Sequence, residues 1–220
     1  MIDLNLPLIG PAVAILETAR ALAQQRDRVA LLLHGPPGIG KTHLLDLLAL
    51  EISGSKFAVE QINGQSLGIE VVREWRQRAA YGNLFSEWSV KRVDELDHAS
   101  SSAAAELLTY LDYLPAKKAV LATTNDYARL RAAHKGRLET RFVVFRVDAP
   151  TVADAANYLR AHMKIPAAIA KQIAAGAVPD GCLESEGCNM RACIEDAKGY
   201  LAAKHVAAAT PLSVVKGPGK

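Results

Sequence analysis

The stretch Gly35-Pro-Pro-Gly-Ile-Gly-Lys-Thr42 decides the fold of this 220-residue chain. Before it runs Val29-Ala-Leu-Leu-Leu-His34, a short apolar segment that is typical of a buried parallel strand. After it runs His43-Leu-Leu-Asp-Leu-Leu-Ala-Leu-Glu51, which has the pattern of a helix. The sequence therefore predicts a strand, a glycine-rich turn and a helix in immediate succession.

The residue types in this turn indicate that it binds phosphate, because they fit the pattern G-x-x-x-x-G-K-[ST]. Its glycines let the backbone curl so that N–H groups point inward, and the helix beginning at Lys41 directs its positive end at the same anion. Lys41 is placed for the β- and γ-phosphates and the Thr42 hydroxyl for Mg²⁺. An ordinary glycine-proline turn is the alternative, but the flanking strand and helix favour a nucleotide site. The predicted contacts are Gly35, Pro36, Pro37, Gly38, Ile39, Gly40, Lys41, Thr42 and His43.

The segment before the first strand predicts a helix over about 11–25, with apolar residues on one face. In proteins with a phosphate-binding loop, such a lead-in commonly packs near the nucleotide base. Ile9 and Gly10 are the candidates for that contact.

Composition narrows the class of protein. Half of the residues are apolar, 22% are charged and the net charge is +3, which is typical of a globular domain and permits an anionic partner. No apolar run approaches the roughly 20 residues that span a bilayer, and the N-terminus lacks signal-peptide character, so we expect a cytoplasmic protein without membrane association.

The three cysteines, Cys182, Cys188 and Cys193, lack a C-x-x-C pair, which disfavours zinc and favours reduced thiols.

A second candidate strand covers 57–62, and an acidic pair follows the third, Trp88 to Val93. In this position Asp94 would hold the Mg²⁺ shell and Glu95 would polarise the attacking water, although an acidic helix N-terminus is the alternative. Central parallel strands are normally almost wholly apolar, yet this one contains Ser89, Lys91 and Arg92. Partial exposure or a partner contact is the expected reason.

A further strand, Lys118 to Thr124, ends at Asn125, whose side chain could reach between the acidic pair and the γ-phosphate. A turn asparagine is the alternative. A basic connector over 130–139 follows, and Thr140-Arg-Phe142 leads into a strand over 142–147.

The pattern of elements changes at residue 150, from alternating strands and helices to helices alone. The sequence thus predicts an α/β nucleotide-binding domain over 1–150, a small all-α lid over 151–208 and a flexible tail over 209–220. The α/β domain would be a five-stranded parallel sheet sandwiched by helices.

The ordered motifs together resemble an AAA+ ATPase over roughly residues 8–206, most closely the ATPase part of clamp-loader subunits, the small subunits of replication factor C. There is also some likeness to helicase loaders. The motifs are the phosphate loop, Asp94-Glu-Leu-Asp97 (Walker B), Ala122-Thr-Thr-Asn125 (sensor 1), Thr140-Arg-Phe142, which is close to Ser-Arg-Cys, and Cys188-Asn-Met-Arg191, which is close to Gly-Asp-Met-Arg (sensor 2). Asn189 departs from the acidic residue of that last motif.

This resemblance implies ATP and Mg²⁺ as cofactors and ATP hydrolysis as the activity. Arg141 would be an arginine finger that reaches the nucleotide of a neighbouring subunit, with Arg137 as the runner-up. Arg191 on the lid would contact phosphates in its own subunit. A finger acting between subunits requires a ring or spiral, formed with copies of the chain or with related AAA+ subunits.

The segment Gln61 to Arg73 resembles the clamp-loader segment that ends in Gly-Ile-x-x-Val-Arg and tracks the DNA backbone. The resemblance makes Gly68, Ile69, Arg73 and Arg76 candidates for DNA contact, with a clamp or a helicase as the partner protein. The chain ends soon after the lid, without room for a clamp-loader collar, which speaks against a loader of that type. The alternatives are a protein remodeller, although the 67–69 loop lacks the aromatic residue usual in a remodeller's pore loop, and a nucleotide-gated scaffold.

Overall fold

A computed structural model describes residues 8–137, 140–179 and 187–209 of the chain. These residues form two compact units, and the chain passes from the first to the second between Pro150 and Thr151. The predicted tail from residue 210 onward, Cys182 and the last two residues of the predicted basic connector lie outside the described residues.

The first unit is built on a five-stranded, wholly parallel sheet with the strand order β2-β3-β4-β1-β5. Its strands are β1 (Arg28–His34), β2 (Val59–Asn63), β3 (Ser89–Asp94), β4 (Lys118–Thr124) and β5 (Val143–Arg146). Its helices are α1 (Pro11–Gln25), α2 (Lys41–Ser53), α3 (Ile69–Arg78), α4 (Ser101–Asp112) and α5 (Tyr127–Ala133). The predicted α/β fold class, a parallel five-stranded sheet flanked by helices, is confirmed.

Alternation along the strands creates two hydrophobic cores, one on each face of the sheet. On β1, Leu31 and Leu33 pack with the buried faces of α1 and α2, whereas Leu32 packs with the core that includes α3 and α4. Because both faces are covered, β1 can be apolar from Val29 to Leu33 and every residue of β4 is buried, as is typical of central parallel strands.

Local signals explain where the helices of this unit begin and end. The phosphate-loop helix α2 starts after Gly40 and ends at Gly54, both in left-handed conformations that glycine adopts without strain. The Ser100 side chain accepts a hydrogen bond from the backbone N–H of Ala103 and so caps α4. In contrast, α5 was not predicted, because it is only seven residues long and buries Leu130 as its one fully enclosed side chain.

The second unit contains the helices α6 (Val152–Met163), α7 (Ala167–Gly176) and α8 (Met190–Ala209), which pack on one another. A capping box begins α6: the Thr151 hydroxyl accepts from the N–H of Asp154, and the Asp154 carboxylate accepts from the N–H of Thr151. Cys188 and Cys193 are buried thiols that lie beside each other, with their sulfur atoms 3.9 Å apart. No helix in the described part of either unit combines the length and apolar character needed to cross a membrane.

Candidate nucleotide-binding site

The strand order brings the predicted site residues to one edge of the sheet. β3, β4 and β1 are consecutive neighbours and run in the same direction, so their carboxyl ends at Asp94, Thr124 and His34 lie side by side. The phosphate loop, the acidic pair and Asn125 each follow one of these ends. Ligands of open α/β sheets bind at this edge.

The phosphate loop has the backbone that its glycines predict. Gly38 and Gly40 have φ values of 80° and 98°, and Gly35 has a φ of 153° and lies against the carbonyl oxygen of Val147, where a Cβ atom would come within 2.2 Å. The space at the Gly40 Cβ position is open. A curled loop that leads directly into the N-terminus of α2 fits a phosphate group.

Lys41 lies at the centre of the site. Its side chain is buried, and Nζ donates to the carbonyl oxygens of Gly35 at 2.8 Å and Pro36 at 2.6 Å and to Asn125 Oδ1 at 2.8 Å. The ammonium group is therefore held inside the curl of the loop and is linked to the end of β4. This position is appropriate for a cation that binds phosphate oxygens.

Asp94 is buried at the end of β3, and its two carboxylate oxygens differ in their surroundings. Oδ2 accepts from Arg92 Nη2 at 2.7 Å and from Gln61 Nε2 at 3.2 Å. Oδ1 accepts only a long bond, from Thr123 Oγ1 at 3.5 Å, among the described residues. A carboxylate oxygen and a hydroxyl are oxygen donors of the kind that Mg²⁺ prefers, so Asp94 Oδ1 and the Thr42 hydroxyl remain the candidate ligands.

The charged residues of β3 are explained by contacts within the unit, so the prediction of partial exposure is wrong for Arg92. This residue is 2% exposed, on the face of the sheet that α2 covers, and it forms ion pairs with Asp46 of α2 and with Asp94. Lys91 points to the opposite face, where it pairs with Glu60 and lies over the Trp75 ring. Desolvation raises the pKa of Asp46, and the Arg92 charge opposes that shift.

Glu95 projects beyond the strand in a left-handed conformation, with φ 53° and ψ 54°. Its Oε1 accepts from Asn125 Nδ2 and its Oε2 from Asn63 Nδ2, both at 3.3 Å. Gly64 packs so closely on this turn that a Cβ would come within 2.1 Å of the Glu95 carbonyl oxygen. Asn125 thus contacts both Glu95 and Lys41, and its reach toward a γ-phosphate stays a prediction.

Three polar residues of the site were not predicted from the sequence. Gln61 and Asn63 pair in register with Arg92 and Asp94, which places their amides beside the acidic pair. Asp97 accepts from the Thr124 hydroxyl at 2.8 Å and from the Asn125 backbone N–H at 3.3 Å, so it orients the end of β4. Parallel pairing of β2 with β3 is the signal that would have identified the two amides.

The remaining predicted nucleotide contacts lie in the lead-in to α1 and in the first turn of α2. Ile9 and Gly10 directly precede α1, and Gly10 is its N-terminal cap with a φ of 57°. His43 lies in the first turn of α2. At the other side of the loop, His34 stacks on Tyr127 with ring centroids 4.3 Å apart, and burial is the main cause that lowers its pKa.

Arg141 is engaged within its own unit. Its Nη2 donates to Asp112 Oδ2 at 2.9 Å, and Nε lies 2.7 Å from Asp112 Oδ1. This hydrogen bond lowers the pKa of Asp112 and raises that of Arg141. Arg137 is exposed, and its carbonyl oxygen accepts from Arg141 Nη1. Arg191 is exposed in the first turn of α8, in the second unit.

The DNA-contact candidates lie at the beginning and on the exposed face of α3. Gly68 caps the helix and Ile69 begins it. Arg73 and Arg76 are about half exposed, but both reach carboxylates: Arg73 Nη1 is 2.8 Å from Glu70, and Arg76 Nη1 is 2.9 Å from Glu106 of α4. These acidic neighbours reduce the positive potential of the two arginines.

Comparison with known proteins identifies the class that this fold and site define. The model of the AAA family, "ATPase family associated with various cellular activities", matches residues 31–146, which is more than half of the chain. The chain therefore belongs to the AAA family of ATPases.

Three known proteins are similar to parts of this chain or share its fold. ATPase family gene 2 protein of Schizosaccharomyces pombe (strain 972 / ATCC 24843) is 31% identical over 124 residues, which are 50% of this chain and 15% of that protein. The Holliday junction branch migration motor RuvB of Thermotoga maritima matches 91% of this chain and 65% of its own with a TM-score of 0.68 and 22% identity. A DNA polymerase III gamma subunit-related protein of Thermotoga maritima MSB8 matches 72% and 57% with a TM-score of 0.52 and 17% identity. The two structural likenesses concern the fold, and the chain spans only part of each of the three proteins.

Proposed function

We propose that this chain binds ATP with Mg²⁺, hydrolyses it, and works as a self-associating switch on DNA. The observation that carries the proposal is the assembly of Lys41, Asp94, Glu95 and Asn125 at one edge of the sheet, beside a loop whose backbone fits phosphate. Membership of an ATPase family supports the same chemistry.

Each residue of this group has a distinct task in the proposed reaction. The phosphate-loop N–H groups and Lys41 bind the phosphates, and Thr42 and Asp94 would hold Mg²⁺, which neutralises the charge that develops on the phosphate oxygens. Glu95 orients the attacking water and accepts its proton. Asn125 holds the Glu95 carboxylate in line with Lys41, since its amide contacts both.

Self-association follows from the arginines in this proposal. Arg141 is the finger for a neighbouring subunit, and Arg191 reports the nucleotide state from the second unit. Because Arg141 is bound to Asp112, it must exchange this carboxylate for the phosphate of the neighbour. Arg137 is the second candidate for the finger, and its exposed position supports it.

DNA as the partner rests on the resemblance of 61–73 to clamp loaders, and two DNA-related proteins share the fold: RuvB and the DNA polymerase III gamma subunit-related protein. A clamp-loader-like or helicase-loader-like role is the finer form of the proposal. A protein remodeller is the weaker candidate, because Leu67 of the loop that would grip a substrate is only 2% exposed.

The ATPase rate per subunit, measured against protein concentration with and without primed DNA, tests this proposal. We expect the rate to rise with concentration, because the finger completes the site of a neighbour, and to rise further with DNA. A rate that depends on protein concentration but not on DNA would indicate that the partner is a protein and not DNA. Absence of hydrolysis under every condition would favour a nucleotide-gated scaffold or a need for other subunits.

A matched pair of charge reversals on α3 tests the DNA surface. Arg73→Glu should weaken DNA binding and reduce its salt dependence, because each lost phosphate contact lowers the number of counterions released. Arg78→Glu is the control, since Arg78 lies on the same helix, pairs with Glu74 and is not among the predicted contacts. Equal DNA affinity of both folded variants and the parent would refute the α3 assignment.

A further inference from the structure

The buried arginine of β3 has a place in the nucleotide site that the sequence motifs do not assign. We propose that Arg92 is a positioning residue for the Mg²⁺-binding carboxylate: with Asp46 of α2 it fixes the Asp94 side chain and leaves Oδ1 as the oxygen available to the metal. This inference rests on the proposed function, in which Asp94 belongs to the Mg²⁺ shell.

The contacts of Arg92 engage one of the two Asp94 carboxylate oxygens, Oδ2, and not the other. Arg92 Nη2 donates to Oδ2 at 2.7 Å, while Arg92 Nη1 donates to Asp46 Oδ1 on the phosphate-loop helix. The guanidinium group therefore connects the strand that bears Asp94 with the helix that bears Lys41 and Thr42. Such a connection sets the position of one metal-binding group relative to the other, as outer-shell partners of metal ligands do.

Stability alone does not account for an arginine at this position. The neighbours of Arg92 on the same face, Val90 and Leu121, belong to an apolar core, and an apolar side chain would fill this place. Buried ion pairs can often be replaced by apolar residues without loss of stability. Moreover, Arg92 Nε and Asp46 Oδ2 are buried without a hydrogen-bond partner among the described residues, which is a cost that a purely structural bridge would not need.

The net charge of the three residues Asp46, Arg92 and Asp94 allows a double variant that keeps the total charge constant. Asp46, Arg92 and Asp94 together carry a charge of −1, and Asp94 alone carries the same charge when the other two are replaced by apolar residues. The double variant Asp46→Leu/Arg92→Met thus keeps the charge presented to Mg²⁺ and removes the positioning. The removed positive charge lies nearer to Asp94 than the removed negative charge does, so electrostatics alone would favour Mg²⁺ in this variant. A weaker Mg²⁺ affinity therefore reports the lost orientation of Asp94.

The measurement is the binding of a slowly hydrolysed fluorescent ATP analogue, titrated first in EDTA and then with increasing Mg²⁺. We expect the double variant to bind the analogue in EDTA as the parent does, and to need about tenfold more Mg²⁺ for half of the Mg²⁺-dependent tightening. Arg92→Lys should shift the Mg²⁺ requirement in the same direction but less, because an ammonium group is a point charge that cannot hold two carboxylates in a planar fork.

The control is Glu60→Leu/Lys91→Met, which removes the ion pair between β2 and β3 on the opposite face of the sheet. It should leave the Mg²⁺ requirement unchanged. If the folded Asp46→Leu/Arg92→Met variant also has the Mg²⁺ requirement of the parent, the positioning role is refuted; if that variant does not fold, an unchanged requirement in Arg92→Lys refutes it. A parent chain that binds no nucleotide in either condition would instead overturn the proposed function, and this inference with it.

Discussion

Asp94 and Glu95 are consecutive carboxylates at the end of one strand, yet they differ in burial and in the hydrogen bonds that they accept. Asp94 is the last residue of β3, is 9% exposed and receives a charge-assisted bond of 2.7 Å from Arg92. Glu95 lies beyond the strand, in a left-handed conformation, and receives two bonds of 3.3 Å from neutral amides. One carboxylate is fixed in the interior and the other is held loosely at the edge.

This difference suits the two tasks that we propose. A metal ligand must keep its position relative to the phosphate loop, and short bonds to a buried guanidinium provide that. A residue that takes a proton from water must reach a reactant and remain adjustable, and long amide bonds permit this. The comparison can be tested by changing the neighbours of each carboxylate without touching the carboxylates themselves.

The largest effect is expected for Asn125→Ala, which acts on the Glu95 side of the comparison. Asn125 contacts both Glu95 Oε1 and Lys41 Nζ, so its loss separates the proposed base from the phosphate-binding cation. We expect turnover to fall about 100-fold, in line with the cost of misplacing a catalytic group. Nucleotide affinity should change far less, and steady-state turnover together with equilibrium binding measures both. Equal losses in turnover and binding would contradict the separation of tasks.

Gly64→Ala is expected to have the next largest effect, through the backbone of Glu95. The new Cβ would come within 2.1 Å of the Glu95 carbonyl oxygen, so the turn must move. We expect about 1–3 kcal/mol of destabilisation, as for overpacking elsewhere, and lower turnover. Gly82→Ala is the matched control, because nothing lies within 4 Å of its Cβ position. Urea unfolding of both variants measures the loss of stability. Similar unfolding midpoints would show that the close contact at Gly64 does not affect the free energy of unfolding.

The smallest effects are expected from two amides on the same face of β2. Asn63→Ser removes one of two amides that hold Glu95, and a hydrogen bond worth about 1 kcal/mol corresponds to a fall in turnover of roughly fivefold. Gln61→Ala removes the weaker of two donors to Asp94 Oδ2 and leaves Arg92 in place. Its Mg²⁺ requirement should therefore stay close to that of the parent. If Gln61→Ala changed the Mg²⁺ requirement by a larger factor than Asn63→Ser changed turnover, Asp94 would be the more loosely held carboxylate, against our account.

Much of this site could be predicted from local sequence because its signals are local. The apolar run before Gly35, the loop and α2 are contiguous, and the structure begins α2 at Lys41 as predicted. The parallel sheet also follows from strands that alternate with helices. These features need no knowledge of which strands become neighbours.

The surroundings of the acidic pair could not be predicted, because they depend on strand order and on which face of the sheet is covered. Arg92 has the sequence pattern of an exposed interruption, and its burial depends on Asp94 and on Asp46, which lies 46 residues earlier on α2. Asn63 and Gln61 similarly acquire their roles from the register of β2 with β3. The short helix α5 was missed because so little of it is buried.

The measurement that tests the account most directly compares Asp94→Asn with Glu95→Gln, using equilibrium binding of Mg²⁺-ATP and single-turnover hydrolysis. We predict that Glu95→Gln binds Mg²⁺-ATP like the parent but hydrolyses it at least about 100-fold more slowly. Asp94→Asn should lose the tightening of nucleotide binding by Mg²⁺. Hydrolysis by Glu95→Gln at the rate of the parent would contradict the assignment of the base, and with it the division of labour between the two carboxylates.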